Sequence, residues 1–169
     1  MRGKGRYSLV TVVVALLVVG LLVQTYRMNQ EEERKENMQH HAQYLLLYTI
    51  DLTLKDIEDY QKTPNAFTLG SLYAHVRNLG NTAANLKRVA GEPSRFGHQD
   101  ANFLDPSTLI YNYANGHGEA DTFSGWLNQL HLTLQAYKER SPYQPDAGEK
   151  LTDFALTWEN LSAVTKDYK

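Results

Sequence analysis

Apolar residues in this chain come first as one unbroken run and then as stripes. The run is Leu9 to Val23, LVTVVVALLVVGLLV, in which only Thr11 and Gly20 are not aliphatic or alanine. A helix with no polar side has no outer face to show to water, so this is not the pattern of a surface helix in a soluble domain. The run is about 15 residues, or roughly 18 with Ser8, Gln24 and Thr25 at its margins, and a comfortable spanning helix takes about 20. That length lies between an anchor and the core of a cleavable signal, which a small-residue cleavage site would distinguish. The chain leaves the run through Gln24-Thr25-Tyr26-Arg27-Met28, with no small pair. An uncleaved transmembrane signal-anchor helix over residues 9–26 is expected, and a cleaved signal is the competing reading. Thr11 and Ala15 form a small-xxx-small pair without any GxxxG, so the anchor is expected to face lipid.

Beyond the run the pattern changes twice. Residues 27–37 are polar, with Glu31 three before Arg34 and four before Lys35, the favourable order on a helix. No apolar seam crosses them, so they read as a solvated helical stalk and Glu31-Glu32-Glu33 as part of its outer face. From Met38 the spacing becomes three and four: Met38, His41, Leu45, Tyr48 and Leu52, widened by Ile50, Leu54 and Ile57. This predicts an amphipathic helix ending near Lys62, with that stripe turned to a core. Thr63-Pro64 is both stop and start, since Pro suits the first turn of a following helix.

The second stripe is the cleanest. Leu69, Leu72, Val76, Leu79, Ala83, Leu86 and Ala90 alternate spacings of three and four, and Gly91 with Pro93 ends the helix. Asp105-Pro106 then reads as cap and first turn of a short helix carrying Leu109, Ile110 and Tyr113. Asn115-Gly116-His117-Gly118 breaks it. Phe123, Leu127, Leu130, Leu134 and Tyr137 form the next stripe, with Trp126 beside it, and Leu151, Phe154, Trp158 and Leu161 the last. No segment alternates with period two, so no sheet is expected. The fold class expected is therefore all-α: an N-terminal transmembrane helix followed by an antiparallel up-and-down four-helix bundle with one extra short helix. The domains are a basic cytoplasmic tail at 1–8, the anchor at 9–26, the stalk at 27–37 and the bundle at 38–169.

Charge adds an orientation. Arg2, Lys4 and Arg6 precede the run and all 19 acids follow it with the other 14 bases, leaving the main domain near −5. The short basic tail is expected inside and the long domain outside, in an extracytoplasmic position at the cell membrane. An acidic domain gives no basic face for phosphates, which argues against nucleic-acid binding. The absence of Cys removes disulfides, thiolate metal sites and Cys nucleophiles.

Candidate chemistry is sparse. The six His residues, at 40, 41, 75, 98, 117 and 131, include no H-x-x-x-H or H-E-x-x-H pair, so no metal or other cofactor is expected. His41 lies on the predicted core stripe and reads as an interior histidine. There is no G-x-S-x-G, P-loop or G-x-G-x-x-G. His117, Glu119 and Asp121 could serve acid-base chemistry, but acids there also suit the first turn of the next helix. The remaining candidates are aromatic. Phe96, Phe103, Tyr111, Tyr113 and Tyr143, with His117, could line a ligand cleft or a partner contact, because Tyr joins apolar area to a polar tip. The expected function is a non-enzymatic binding or scaffolding component of the cell envelope. It would be held by the lipid bilayer through residues 9–26 and contact another envelope protein or a surface polymer. A ligand-sensing pocket between helices, and a hydrolase or metalloenzyme without recognisable motif, are the alternatives.

Overall fold

Between Lys4 and Lys62 there is no proline, and helix α1 runs through all 59 residues, Lys4–Lys62. The structure is a computed structural model. It describes residues 4–90 and 106–140, together with residues 151, 153, 154, 157, 158, 160–162 and 165; within the first stretch, side-chain surroundings are described for residues 10–83. The described residues are helical apart from short turns, with no strand. The chain divides into two compact units, Met1–Asn37 and Met38–Lys169.

In the first unit every side chain from Val10 to Val23 is exposed. Near its N-terminal end α1 is long and apolar enough to cross a membrane, the most apolar window of 18 residues having a mean hydropathy of 2.0 and none of it being buried in protein. Thr25 satisfies itself, its hydroxyl donating 2.9 Å to the Leu21 carbonyl.

The second unit begins as a helical hairpin. Helix α2, Ala66–Ala90, follows α1 after three residues. Asn65, not Pro64, is its cap: the Asn65 Oδ1 accepts from the backbone N–H of Phe67 (2.9 Å) and of Thr68 (3.0 Å), and the Thr68 hydroxyl accepts from the Asn65 N–H (3.2 Å). Pro64 therefore lies before the cap, where its ring keeps the connection out of helix, and is not in the first turn as the sequence pattern predicted. Asn65→Ala should lower stability by about 1 kcal/mol in urea unfolding, because it removes two capped donors at once. Helix α3, Pro106–Ala114, packs on α2 and on α4, Ala120–Arg140. The described residues between 151 and 165 are helical.

The core joins all of these. Leu72, Val76, Leu79 and Ala83 of α2 are buried, as are Leu109 and Ile110 of α3. From α4 come Phe123, Leu127, Leu130, Leu134 and Tyr137, and from the last helical residues Leu151, Phe154, Trp158 and Leu161. Trp126, expected beside its stripe, is completely buried. Its indole N–H is satisfied by the Thr165 hydroxyl at 3.0 Å, which makes burial possible.

Helix α1 departs from expectation. Ile50 and Ile57, expected at the margin of the stripe, are buried, but they belong to a buried row of Gln43, Leu46, Ile50, Thr53 and Ile57, with Thr49 beside it, that lies two residues from the expected centre at Met38, His41, Leu45, Tyr48 and Leu52. Two residues turn a helix through about 200°. Met38, His41, Leu45 and Tyr48 consequently face outward, and His41 is a surface histidine, not an interior one. The reason lies in the threonines. Thr49 and Thr53 return their hydroxyls to the carbonyls of Leu45 and Thr49 (2.8 Å each) and so enter the core without an unpaired polar group. Gln43 has no such arrangement: its amide N and O are buried without a hydrogen-bond partner among the described residues. Gln43→Met, similar in volume and free of that burden, should raise stability by about 1–3 kcal/mol; a drop in the urea midpoint would refute this.

Candidate functional site

Tyr111 and Tyr113 are two apart on α3, so they point to nearly opposite sides of it. Tyr113 is half-buried and stacks on Phe123 of α4, with ring centroids 4.0 Å apart and planes at 6°. Phe123 in turn lies against Trp126 at 5.8 Å and takes the Tyr60 ring edge-on at 5.9 Å. Tyr111 is exposed and rests, tilted, 6.4 Å from Tyr73 of α2. His117 is exposed in the turn between α3 and α4, where positive φ at Gly116 and Gly118 reverses the chain and the His117 N–H reaches the Asn112 carbonyl at 2.9 Å. Asp121 stands in the first turn of α4. Phe96, Phe103 and Tyr143 lie outside the described residues. Among the candidates that are described, Tyr113 belongs to an aromatic layer of the core, while Tyr111 and His117 are on the surface.

The aromatic layer has an electrostatic consequence. Burial, a hydrogen bond with the Tyr113 hydroxyl and the charge that hydroxyl would carry push the Tyr60 phenol up to about 12. A raised value favours the neutral form in the folded state. The corresponding stability is complete below pH 10, the ordinary value, and is lost as pH rises from 10 towards 12. The wild-type melting temperature should fall over that interval, and Tyr60→Phe should flatten the fall.

A polar cluster was not legible in the sequence. The Asp56 carboxylate of α1 accepts through Oδ2 from the Ser71 hydroxyl at 3.0 Å and from the His75 Nδ1, both on α2. Asp56 and His75 are mostly shielded from solvent. Ser71 and His75 are one helical turn apart, so they share a face, and the hairpin brings that face to Asp56. The trio contains the residue types of a hydrolytic triad, but its connectivity differs. Ser71 donates to the carboxylate and not to the imidazole, so the imidazole is not placed to take its proton. The arrangement works as a clasp between the two helices. No group of three or more metal-ligating side chains occurs among the described residues.

Two open grooves are polar. One of about 470 Å³ is lined by Gln129, Thr133, Arg140, Asp153, Thr157 and Asn160. The other, about 420 Å³, runs past Asp51, Glu58, His131 and Lys138, where Lys138 is already paired with Asp51 at 2.5 Å. Ligand pockets are usually concave and apolar with a few convergent polar groups, which neither groove offers.

The outward face of α1 is different. Met38 is 51% exposed, Tyr44 59%, Leu45 45% and Tyr48 54%, with His41 exposed between them. They form a continuous apolar and aromatic strip along three turns of one helix, on the second unit. Scattered exposed hydrophobes are ordinary, but a contiguous strip rich in Tyr and Met has the composition of a contact surface. No family model, curated protein or solved structure matches this chain.

Proposed function

We propose that the protein is a membrane-anchored, non-enzymatic binding or scaffolding module of the cell envelope. Its second unit is an antiparallel up-and-down four-helix bundle with one extra short helix, exposed on the extracytoplasmic side. The observation that carries this reading is the outward strip of α1, an apolar surface that the domain does not use for its own core. The run at Val10 to Val23, apolar all round and without protein against it, supports the anchor. The clasp at Asp56 supports antiparallel pairing of α1 and α2. An acidic domain favours an envelope protein or surface polymer over nucleic acid as partner.

Catalysis has less support, because Ser71 donates to the Asp56 carboxylate and not to the His75 imidazole. A sensing pocket beside Tyr111, Tyr113 and Phe103 has less support too, since Tyr111 and Tyr113 pack on different neighbours. The test is a labelling enzyme fused to the C-terminus in intact cells. Extracytoplasmic proteins should be biotinylated, with one recovered above the others. Labelling confined to cytoplasmic proteins would overturn the topology, and a uniform background would remove the binding role.

A further inference from the structure

The outward strip of α1 has a second property besides being apolar. Met38, His41, Leu45, Tyr48 and Leu52 follow spacings of three, four, three and four, which is the repeat of a coiled-coil seam. α1 thus carries two seams on opposite sides. Gln43, Leu46, Ile50, Thr53 and Ile57 close the domain's own core, and the other seam is exposed from Met38 to Tyr48 and half-buried at Leu52.

We infer that the outer seam is occupied by a second copy of this chain, giving a parallel homodimer through residues 38–52 of α1. The inference rests on the anchored binding reading and deepens it by naming what covers the strip. Three arguments select a second copy. First, a two-fold interface joins one patch to itself, and a seam whose a positions are Met38, Leu45 and Leu52 and whose d positions are His41 and Tyr48 is self-complementary in a parallel pair. Second, the area is sufficient. Met38, Tyr44, Leu45 and Tyr48 are 45–59% exposed and His41 is exposed beside them; side chains of this size offer on the order of 100 Å² each, so these five give roughly 500 Å² per copy and about 1,000 Å² for a pair. That meets the lower bound for a specific interface of about 1,000 Å². Third, copies held in one bilayer share an orientation and a raised effective concentration, so a seam of two heptads can suffice where a soluble domain would need more. Lys55 at the next d position and Asp51 at the flank end the apolar part after Leu52. The dimer would then be the unit that an envelope partner meets.

The absence of cysteine makes the test clean. Single substitutions Met38→Cys, Leu45→Cys and Leu52→Cys in the full-length protein are treated, in isolated membranes, with a short thiol-to-thiol bismaleimide, beside Asn128→Cys as an exposed control on α4. A parallel pair brings each seam position against itself, so all three should give a covalent band of twice the chain's mass at least fivefold above the control. Adding Tyr48→Lys to Leu45→Cys should abolish that band, while circular dichroism shows the helical content unchanged, because Tyr48 contributes nothing to the core. A membrane-bound chain that crosslinks no better than Asn128→Cys overturns the dimer and leaves the anchored reading standing. Crosslinking at Leu45→Cys alone indicates antiparallel pairing and overturns the parallel arrangement. A dominant band at any other mass puts a different protein on the strip and also overturns it. A chain recovered in the aqueous fraction would instead remove the anchored reading itself.

Discussion

Trp126→Ala is expected to lose about 3–5 kcal/mol of stability, the range for deleting a fully buried aromatic side chain and leaving a cavity. A domain of this size has roughly 5–15 kcal/mol in total, so the variant would lose between about a fifth and all of its stability. The size of the effect follows from what Trp126 joins. Its ring continues the layer of Tyr113 and Phe123, and its indole N–H bonds the Thr165 hydroxyl, whose own proton goes to the Leu161 carbonyl at 2.8 Å. One side chain therefore links α3 and α4 to the helical residues that close the core. Trp126→Phe keeps most of the apolar area and removes the hydrogen bond, and its cost should be the smaller by at least half. Urea titrations of detergent-solubilised protein followed by circular dichroism would measure both, and an Ala variant within about 1 kcal/mol of wild type would show that the core is not organised around this residue.

The second large effect concerns partitioning. The full-length protein should remain with membranes through an alkaline carbonate wash, and the double variant Val14→Arg with Leu17→Arg should be released. Leu, Ile and Val each contribute about −0.3 to −0.6 kcal/mol at the centre of a spanning helix, whereas Arg costs about 2.5–3.5 kcal/mol. The aliphatic residues between Leu9 and Val23 thus supply a total of several kcal/mol, and two arginines near the middle, three apart on one face, cancel roughly that amount. Both positions are exposed on the first unit, so the substitutions leave the core of the second untouched. Wild-type protein in the wash supernatant would exclude a spanning anchor and favour a peripheral or cleaved segment.

Much of the fold could be read from local pattern. The end of α1 at Lys62, the buried stripe of α2 from Leu72 to Ala83 and the buried stripe of α4 all follow from three-and-four spacing and from breakers at 63–65. These depend on neighbours a turn or two apart, and a sequence carries such information directly. Asp56, Ser71 and His75 could not be found that way. They are separated by 15 and 19 residues, and nothing in either helix alone distinguishes an acid that meets a histidine from one that meets water. The only available signal was geometric: in a hairpin turning at 63–65, residues equidistant from the turn come together.

α1 shows where the boundary lies. The sequence by itself determined that residues 38–57 are helical and that apolar side chains recur with a seam's period, because both follow from backbone propensity and spacing. It did not determine which of two faces goes inside, since both carry that period and both mix apolar with polar residues. Tertiary structure decided this: threonines that bond their own helix can be buried beside Leu46, Ile50 and Ile57, and the opposite face, with its larger Met and Tyr side chains, remains outside. Period is a property of one helix, but phase is set by the volume and hydrogen-bonding capacity of everything packed against it.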